Sequence, residues 1–297
     1  MSADAPLLCI VGPTASGKSA LALRLARELD GEILSADSMQ IYRGFDIGTG
    51  KPSAGERELV PHHLLDVAEP LEIWDAARWA ERAAQLVVEL RARGKLPIVC
   101  GGSFLWVRAL IYGLVEAPRG DEALRARHRE LAEQGGRAAL HARLAEIDPA
   151  SAQRLSPNDF VRVSRALEVF ELTGVPMSQV QAQHGFREQR FPARLVGIQR
   201  ARPELNQLIA ERVKSMLAAG WVAEVESLIA RGLGGARAMA SVGYRQISEA
   251  LGSGAARNEA ALSEAVVRAT RVFARRQRTW LRDQPVEWLP PDATKLP

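Results

Sequence analysis

The residues best suited to chemistry lie near the start of the chain, in the stretch Gly12-Pro13-Thr14-Ala15-Ser16-Gly17-Lys18-Ser19. This stretch fits the pattern G-x-x-x-x-G-K-[ST] of a phosphate-binding P-loop. The two glycines let the backbone pass close to an anion, with N–H groups and a helix N-terminus facing its oxygens. Lys18 adds a positive charge, and the Ser19 hydroxyl is a suitable ligand for Mg²⁺. The pattern predicts a polyphosphate site without specifying which polyphosphate.

The elements on either side of this loop are the ones that a P-loop requires. The apolar run 7–11 predicts a buried strand before it. Leucines at positions 21, 25 and 29 follow it with helical spacing. A strand, the loop and a helix therefore succeed one another in the expected order.

Two further predicted strands end in polar residues. The strand 31–35 leads into Asp37, and the strand 96–100 leads into Gly101-Gly102-Ser103. In an open α/β sheet, side chains just past the carboxyl ends of strands face the ligand crevice. Asp37 could therefore act as a general base or bind Mg²⁺, or it could cap a helix. The third strand lacks the acidic residue of many P-loop ATPases, which weakens that interpretation and leaves Ser103 as a polar group facing the crevice.

Composition narrows the class of protein. The 297 residues are 47% hydrophobic and 25% charged, as in an ordinary globular protein. No apolar run is long enough to span a membrane and no secretory leader is recognisable, so we expect a cytoplasmic protein. Cys9 and Cys100 lie in apolar runs without a C-x-x-C pair, which argues against a zinc or dithiol site. A net charge of +4 is a mild indication of a polyanionic partner.

The middle of the chain predicts a helical insertion. Residues 114–193 contain helical segments at 122–134, 137–146 and 159–173, separated by glycine and proline breaks. Strand character returns at 195–199. We therefore predict an α/β fold: a P-loop NTPase-like parallel sheet flanked by helices (1–113 and 194–297), with an inserted all-helical subdomain (114–193).

The last predicted helix is strongly basic. Residues 264–282 contain six arginines and Trp280 against one glutamate. Arginines interleaved with an aromatic residue favour an RNA-binding surface over a surface helix paired elsewhere. Lys51 lies in a loop predicted at 44–61 and could likewise reach phosphate or be a solvated loop lysine. His62-His63 is interpreted as structural and precedes a possible strand at 64–67. The region after residue 199 is predicted to be helical.

Together, these segments resemble the tRNA dimethylallyltransferase (tRNA isopentenyltransferase) family in its bacterial form. The resemblance covers nearly the whole chain in order: 12–19, 37–43, 46–52, 61–66, 101–103, 157–159, 165–169, 242–245 and 274–282. Position 103 is Ser where the family usually has Thr, and the hydroxyl is retained.

The resemblance implies transfer of a dimethylallyl group from dimethylallyl diphosphate to N6 of adenine-37, in tRNAs reading codons that begin with U. It implies Mg²⁺ as cofactor, a P-loop that holds diphosphate rather than splitting ATP, and an insertion that closes on the anticodon stem-loop. Asp37 is the candidate base, Ser103 the group holding the amine, and Arg212 a diphosphate ligand. The candidate tRNA-binding residues are Asp37, Ser38, Met39, Gln40, Ser103, Arg125, Arg162, Arg165, Val242, Gly243, Tyr244, Arg245, Arg275, Arg276, Gln277, Arg278, Thr279, Trp280 and Arg282.

Three alternatives remain open at this point. A small-molecule or nucleotide kinase also uses a P-loop on a parallel sheet, but it gives no reason for the basic C-terminal helix. An isopentenyltransferase acting on free adenine nucleotides is closer in chemistry, and the same helix argues against it. A non-enzymatic RNA-binding protein would not need a carboxylate and a hydroxyl in one crevice. Nothing in the sequence indicates an obligate interface, so we expect a monomer.

Overall fold

The computed structural model describes residues 5–115, 117–118, 120–185, 188–293 and 296. In these residues one six-stranded sheet has the order β3-β2-β4-β1-β5-β6, and every neighbouring pair of strands is parallel. The strands are β1 Leu7–Val11, β2 Gly31–Ser35, β3 His62–His63, β4 Leu96–Gly101, β5 Ala193–Ile198 and β6 Val286–Leu289. The predicted α/β class with a parallel sheet is confirmed.

Twelve α-helices are present in the described part of the chain. They are α1 Lys18–Glu28, α2 Ala54–Leu59, α3 Ala76–Ala92, α4 Phe104–Tyr112, α5 Glu122–Ile147, α6 Pro149–Arg154, α7 Phe160–Thr173, α8 Met177–His184, α9 Arg202–Ala218, α10 Trp221–Ala230, α11 Tyr244–Gly252 and α12 Glu259–Leu281. No helix among the described residues is long and apolar enough to cross a membrane.

The centre of the sheet is buried on both faces, as parallel sheets are. Every residue of β1 and of β2 is buried. Helix α1 contributes Leu21 and Leu25 to a cluster with Ile10 and Ile98 of the sheet. This packing fixes the start of α1, and therefore the P-loop, above the carboxyl end of β1.

The chain divides into two compact units. The first comprises Met1–Tyr112 and Gln189–Pro297, and the second comprises Gly113–Glu188, where the sequence predicted an insertion at 114–193. The second unit is helical and has its own core, built on Leu140, Leu144 and Leu167. Its helix α5 is interrupted at Gly136, whose φ of 77° and ψ of 164° break the helix where the sequence predicted a break.

Three local predictions were wrong. The strand predicted at 64–67 is absent, because Leu64 and Asp66 have φ of 62° and 55°, and the two-residue strand β3 precedes them instead. The loop predicted at 44–61 contains α2, whose start is held by a capping box between Ser53 and Glu56. The C-terminal region is not wholly helical, since β6 adds an edge strand beside β5.

Candidate active site

The P-loop has the backbone geometry of an anion site. Gly17 adopts φ +96° immediately before α1, and Ala15 also lies in the left-handed region at φ +63°. No side chain caps the N-terminus of α1, so its first N–H groups are not used by a cap. A side chain at Gly12 would place Cβ 2.9 Å from Ser16 Oγ, so this close turn requires glycine. These features leave donors directed at a bound anion.

Lys18 lies inside this loop. Its ammonium donates a hydrogen bond to the Pro13 carbonyl at 3.3 Å. Burial lowers the pKa of Lys18, although Cys100 and Asp37 act in the opposite direction. A desolvated cation gains more from an anionic ligand than an exposed one does. Lys18 is therefore placed to bind a phosphate oxygen.

Asp37 and Ser103 come together because β2 and β4 are neighbours, with Ser35 paired to Cys100. Asp37 Oδ1 accepts a hydrogen bond from the Met39 N–H at 2.9 Å. Ser103 Oγ accepts one from the Ser38 N–H at 3.0 Å and donates to Ser38 Oγ at 3.2 Å. One carboxylate and one hydroxyl are thus held on adjacent turns at the same end of the sheet.

These residues line one cavity of about 460 Å³. Its polar wall contains Thr14, Lys18, Ser19, Asp37, Ser103 and Arg212, and its apolar wall contains Leu23, Ile33, Val213, Met216 and Phe273. Burial lowers the pKa of Arg212, and the Asp37 charge raises it. The cavity therefore offers cations, a carboxylate and hydroxyls beside an apolar surface, which suits a ligand with a charged head and a hydrocarbon tail.

Comparison with known proteins identifies the family. A family model described as IPP transferase matches residues 40–284. The chain belongs to the IPP transferase family. It is 56% identical over 287 residues to a tRNA dimethylallyltransferase of Sorangium cellulosum (strain So ce56), covering 97% of this chain and 91% of that protein. It is 51% identical to a tRNA dimethylallyltransferase of Anaeromyxobacter sp. (strain Fw109-5), covering 96% and 94%.

Solved structures of IPP transferases share the fold. The full-length tRNA isopentenylpyrophosphate transferase from Bacillus halodurans superimposes with a TM-score of 0.70 at 35% identity, covering 96% of this chain and 90% of that chain. A eukaryotic dimethylallyltransferase described as acting on tRNA gives a TM-score of 0.79 at 25% identity, covering 96% and 74%. These comparisons confirm the predicted fold and family, and with them the predicted enzyme class, a prenyltransferase.

In this IPP transferase, the basic face of α12 is open. Arg275, Arg276, Arg278 and Arg282 are exposed, and none of them forms an ion pair within the described parts of the chain. Trp280, in the same stretch, is 43% exposed. The Thr279 hydroxyl is used within the helix, where it donates to the Arg275 carbonyl at 3.1 Å.

The predicted RNA contacts of the helical unit lie in ion pairs. Arg125 and Arg165 both pair with the fully buried carboxylate of Glu168. Burial raises the pKa of Glu168, but the hydrogen bonds from Arg165, Asp121 and Arg125 outweigh it, and the pKa falls. Arg162 lies 3.5 Å from Asp159. One carboxylate shared by Arg125 and Arg165 leaves a net positive charge there.

Other candidates near the cavity hold loops in place. Gln40 donates from Nε2 to the Thr49 and Gly50 carbonyls, each at 3.1 Å. Tyr244 is fully buried and donates to Glu224 Oε1 at 2.5 Å, so its ring has no surface to offer an RNA in this structure. Ser38, Met39 and Val242 line the cavity, whereas Arg245 points to Glu249 at 3.9 Å.

Lys51 and the histidine pair are structural. Lys51 Nζ donates to the Tyr42 carbonyl and Asp46 Oδ1, each at 2.7 Å, and to Asp66 Oδ1 at 2.5 Å, which uses all three of its N–H groups. His62 and His63 contact the Val60 carbonyl and Glu32, at 2.8 and 2.6 Å. Lys51 therefore has no free N–H group left with which to bind phosphate.

Sequence reasoning missed Glu224 and assigned Gln277 a different role. Glu224 accepts hydrogen bonds from the Asp46 and Ile47 N–H groups at 3.0 and 2.8 Å, and thereby fixes the loop at the cavity wall. Gln277, predicted as a tRNA contact, is buried and bonded to the P-loop. Neither role has a local signal, because each depends on a partner more than 170 positions away in the chain.

The residues present fit a Mg²⁺ ion shared with a phosphate. Within the described ranges, no group of three or more His, Cys, Asp or Glu side chains could hold a metal alone. Mg²⁺ needs no such cage, since it is commonly bound by one or two protein oxygens, several waters and substrate phosphates. Ser19 and Asp37 supply two oxygen donors on the same cavity.

Proposed function

We propose that the protein transfers a dimethylallyl group from dimethylallyl diphosphate to N6 of adenine-37 in tRNAs that read codons beginning with U. The observation that carries this proposal is the cavity in which Asp37 and Ser103 face the same space as Lys18 and Arg212. An acceptor amine and a diphosphate leaving group need these two sets of groups within one enclosure. Family membership supports this reaction over the kinase and free-nucleotide alternatives.

In the proposed reaction, the adenine N6 forms a bond to C1 of the donor while the bond from C1 to the diphosphate oxygen breaks. The N6 proton passes to the Asp37 carboxylate, which is the general base. Ser103 orients the amine through its hydroxyl. Lys18, Arg212 and the P-loop N–H groups stabilise the negative charge that gathers on the departing diphosphate.

Mg²⁺ would be held by Ser19, with the Asp37 carboxylate lining the same cavity. When bound, it would add positive charge beside the diphosphate and so favour its departure. This assignment rests on the oxygen donors described above and on the P-loop pattern.

The target base must leave the stack of the anticodon loop, which costs a few kcal/mol. We propose that the open arginine face of α12 offsets this cost by binding the RNA backbone, with the exposed part of Trp280 as a stacking surface. We further propose that the protein acts on tRNA as a monomer in the cytoplasm.

Analysis of the reaction products tests the proposed function. The protein is incubated with Mg²⁺, labelled dimethylallyl diphosphate and an unmodified tRNA carrying adenine at position 37, without ATP. Label should enter the tRNA and should be lost when that adenine is replaced by guanine. In a parallel reaction with AMP in place of tRNA, label on the AMP would support the nucleotide-modifying alternative. In a separate reaction with ATP, phosphate transfer to a small acceptor without prenyl transfer to tRNA would support a kinase.

A further inference from the structure

Helix α12 has two chemically different faces. Ala274, Gln277 and Leu281 are buried, whereas Arg275 and Arg278 are exposed. Spacings of three and four residues place each set on one side of a helix. Gln277 is the polar residue of the buried set and is only 8% exposed. A buried amide must have its hydrogen bonds satisfied, so its partners are informative.

Those partners lie in the two loops that form the catalytic cavity. Gln277 Oε1 accepts a hydrogen bond from the Thr14 N–H of the P-loop at 2.9 Å. Gln277 Nε2 donates to the Gly102 carbonyl at 3.2 Å. Gly102 directly precedes Ser103, which holds the Ser38 turn. A single amide thus connects the diphosphate loop, the loop of the acceptor hydroxyl and the basic helix.

The contact is specific for glutamine. Thr14 presents a donor and Gly102 an acceptor, so the side chain must supply an acceptor and a donor at the same time. A glutamate would keep the acceptor and lose the donor. A Cβ at Gly102 would lie 2.2 Å from Gln277 Nε2, so a side chain at this position would displace the amide. The absence of a side chain at Gly102 therefore allows the Gln277 amide to approach this loop and donate its hydrogen bond.

We infer that Gln277 is a positioning residue that holds the P-loop in the shape that binds diphosphate and keeps Ser103 in register with it. It acts through its hydrogen bonds to Thr14 and Gly102. This inference rests on the proposed function, because it assigns Gln277 to the donor site of that reaction. It differs from the tRNA contact that the family resemblance implies for the same position.

The test compares Gln277→Met with Arg278→Gln. Methionine fills a similar volume without either hydrogen bond, and two lost hydrogen bonds correspond to about a 10-fold effect or more. We expect the KM for dimethylallyl diphosphate to rise about 10-fold in Gln277→Met while the KM for tRNA changes less than about 2-fold. Arg278→Gln, on the exposed face, should instead raise the KM for tRNA and change the KM for dimethylallyl diphosphate less than about 2-fold. Gln207→Ala, on the exposed side of α9, serves as the unaltered reference.

A second variant covers the case in which Gln277→Met does not fold. Gln277→Glu keeps the bond from the Thr14 N–H but adds a negative charge beside the diphosphate site, so donor binding should weaken further than in the methionine variant. An unchanged donor KM in a folded Gln277 variant would overturn the inference. A lowered donor KM would also overturn it, because Gln277 would then compete with the donor for the Thr14 N–H.

Binding of inorganic diphosphate to the full chain, measured by calorimetry without RNA, separates this inference from the proposed function. If wild-type protein binds diphosphate but transfers no prenyl group to tRNA, the proposed function fails, while the Gln277 variants can still be compared by their affinity for diphosphate. If wild-type protein transfers normally and the variants bind diphosphate as tightly as it does, only the role of Gln277 is refuted.

Discussion

Replacing Asp37 by asparagine separates the chemistry of this carboxylate from its structural bond. The carbonyl of an asparagine side chain can still accept the hydrogen bond that Met39 N–H donates to Asp37 Oδ1 at 2.9 Å, so the turn should persist. The proton acceptor is lost, which should lower kcat by about 10²–10⁴-fold, or about 2.7–5.4 kcal/mol in activation free energy. The negative charge of Asp37 raises the pKa of both Lys18 and Arg212, so its removal leaves the donor site more positive. In the absence of Mg²⁺, donor binding should therefore be unchanged or tighter, while turnover measured with Mg²⁺ falls.

Single-turnover transfer with saturating tRNA and dimethylallyl diphosphate measures the chemical step directly, and calorimetry with inorganic diphosphate measures the donor site. Asp37→Ala is the companion variant, since it also removes the bond to Met39 and should lose about 0.5–1.5 kcal/mol of stability. If Asp37→Asn retained turnover within threefold of wild type, the base would have to be another group. If both turnover and diphosphate affinity collapsed, Asp37 would be a binding residue.

Three further substitutions follow from the same contacts. Lys18→Ala should raise the donor Kd about 10–150-fold, as expected for a charged hydrogen bond, and leave tRNA binding within about twofold, which filter binding and calorimetry measure in parallel; equal loss of both would refute the division between donor and RNA surfaces. Lys51→Met should cost about 3 kcal/mol in urea unfolding, because a buried cation with three partners is removed. Burial raises the pKa of Asp66, but hydrogen bonds from Lys51 and Arg57 outweigh it and lower that pKa. The resulting stabilisation is present above the ordinary carboxyl pKa and is lost as the pH falls below about 4, so melting temperatures of wild type and Lys51→Met should converge there; parallel curves would contradict this. Tyr244→Phe should destabilise the protein by about 1.5–3 kcal/mol by removing the bond to Glu224, without changing the RNA contacts of α12, and an unaltered melting temperature would show that this bond contributes little.

The sequence predicted those parts of the site that depend on residues close to one another in the chain. The P-loop is a contiguous motif, α1 follows from leucine spacing, and Asp37 and Ser103 follow from the rule that strand ends face the crevice. Edge strand β6 was missed because its four residues include two half-buried ones and the exposed Trp288, which give no clear alternation.

The residues that sequence reasoning could not place are those whose partners come from elsewhere in the chain. The sequence around Lys51 was compatible with a solvated loop lysine or with a phosphate ligand, and only the fold brings Asp66 to its ammonium. Gln277 lies between two arginines, where composition favours an RNA contact, yet helix periodicity turns its amide toward the P-loop. Burial of one position among exposed neighbours is decided by packing, which composition does not encode.

The order of the strands has a consequence for synthesis on the ribosome. Strand β1 pairs with β5, and roughly 180 residues separate the two strands, a distance that takes about 10–40 s to translate at about 5–20 residues per second. During that time the helical unit, with its own core, emerges complete, while one edge of the fully buried strand β1 stays unpaired. An open, flat, apolar edge is a template for pairing with another chain. A nascent chain of this protein therefore carries an unpaired edge of β1 until β5 emerges, and a chain cut short before β5 keeps that edge permanently.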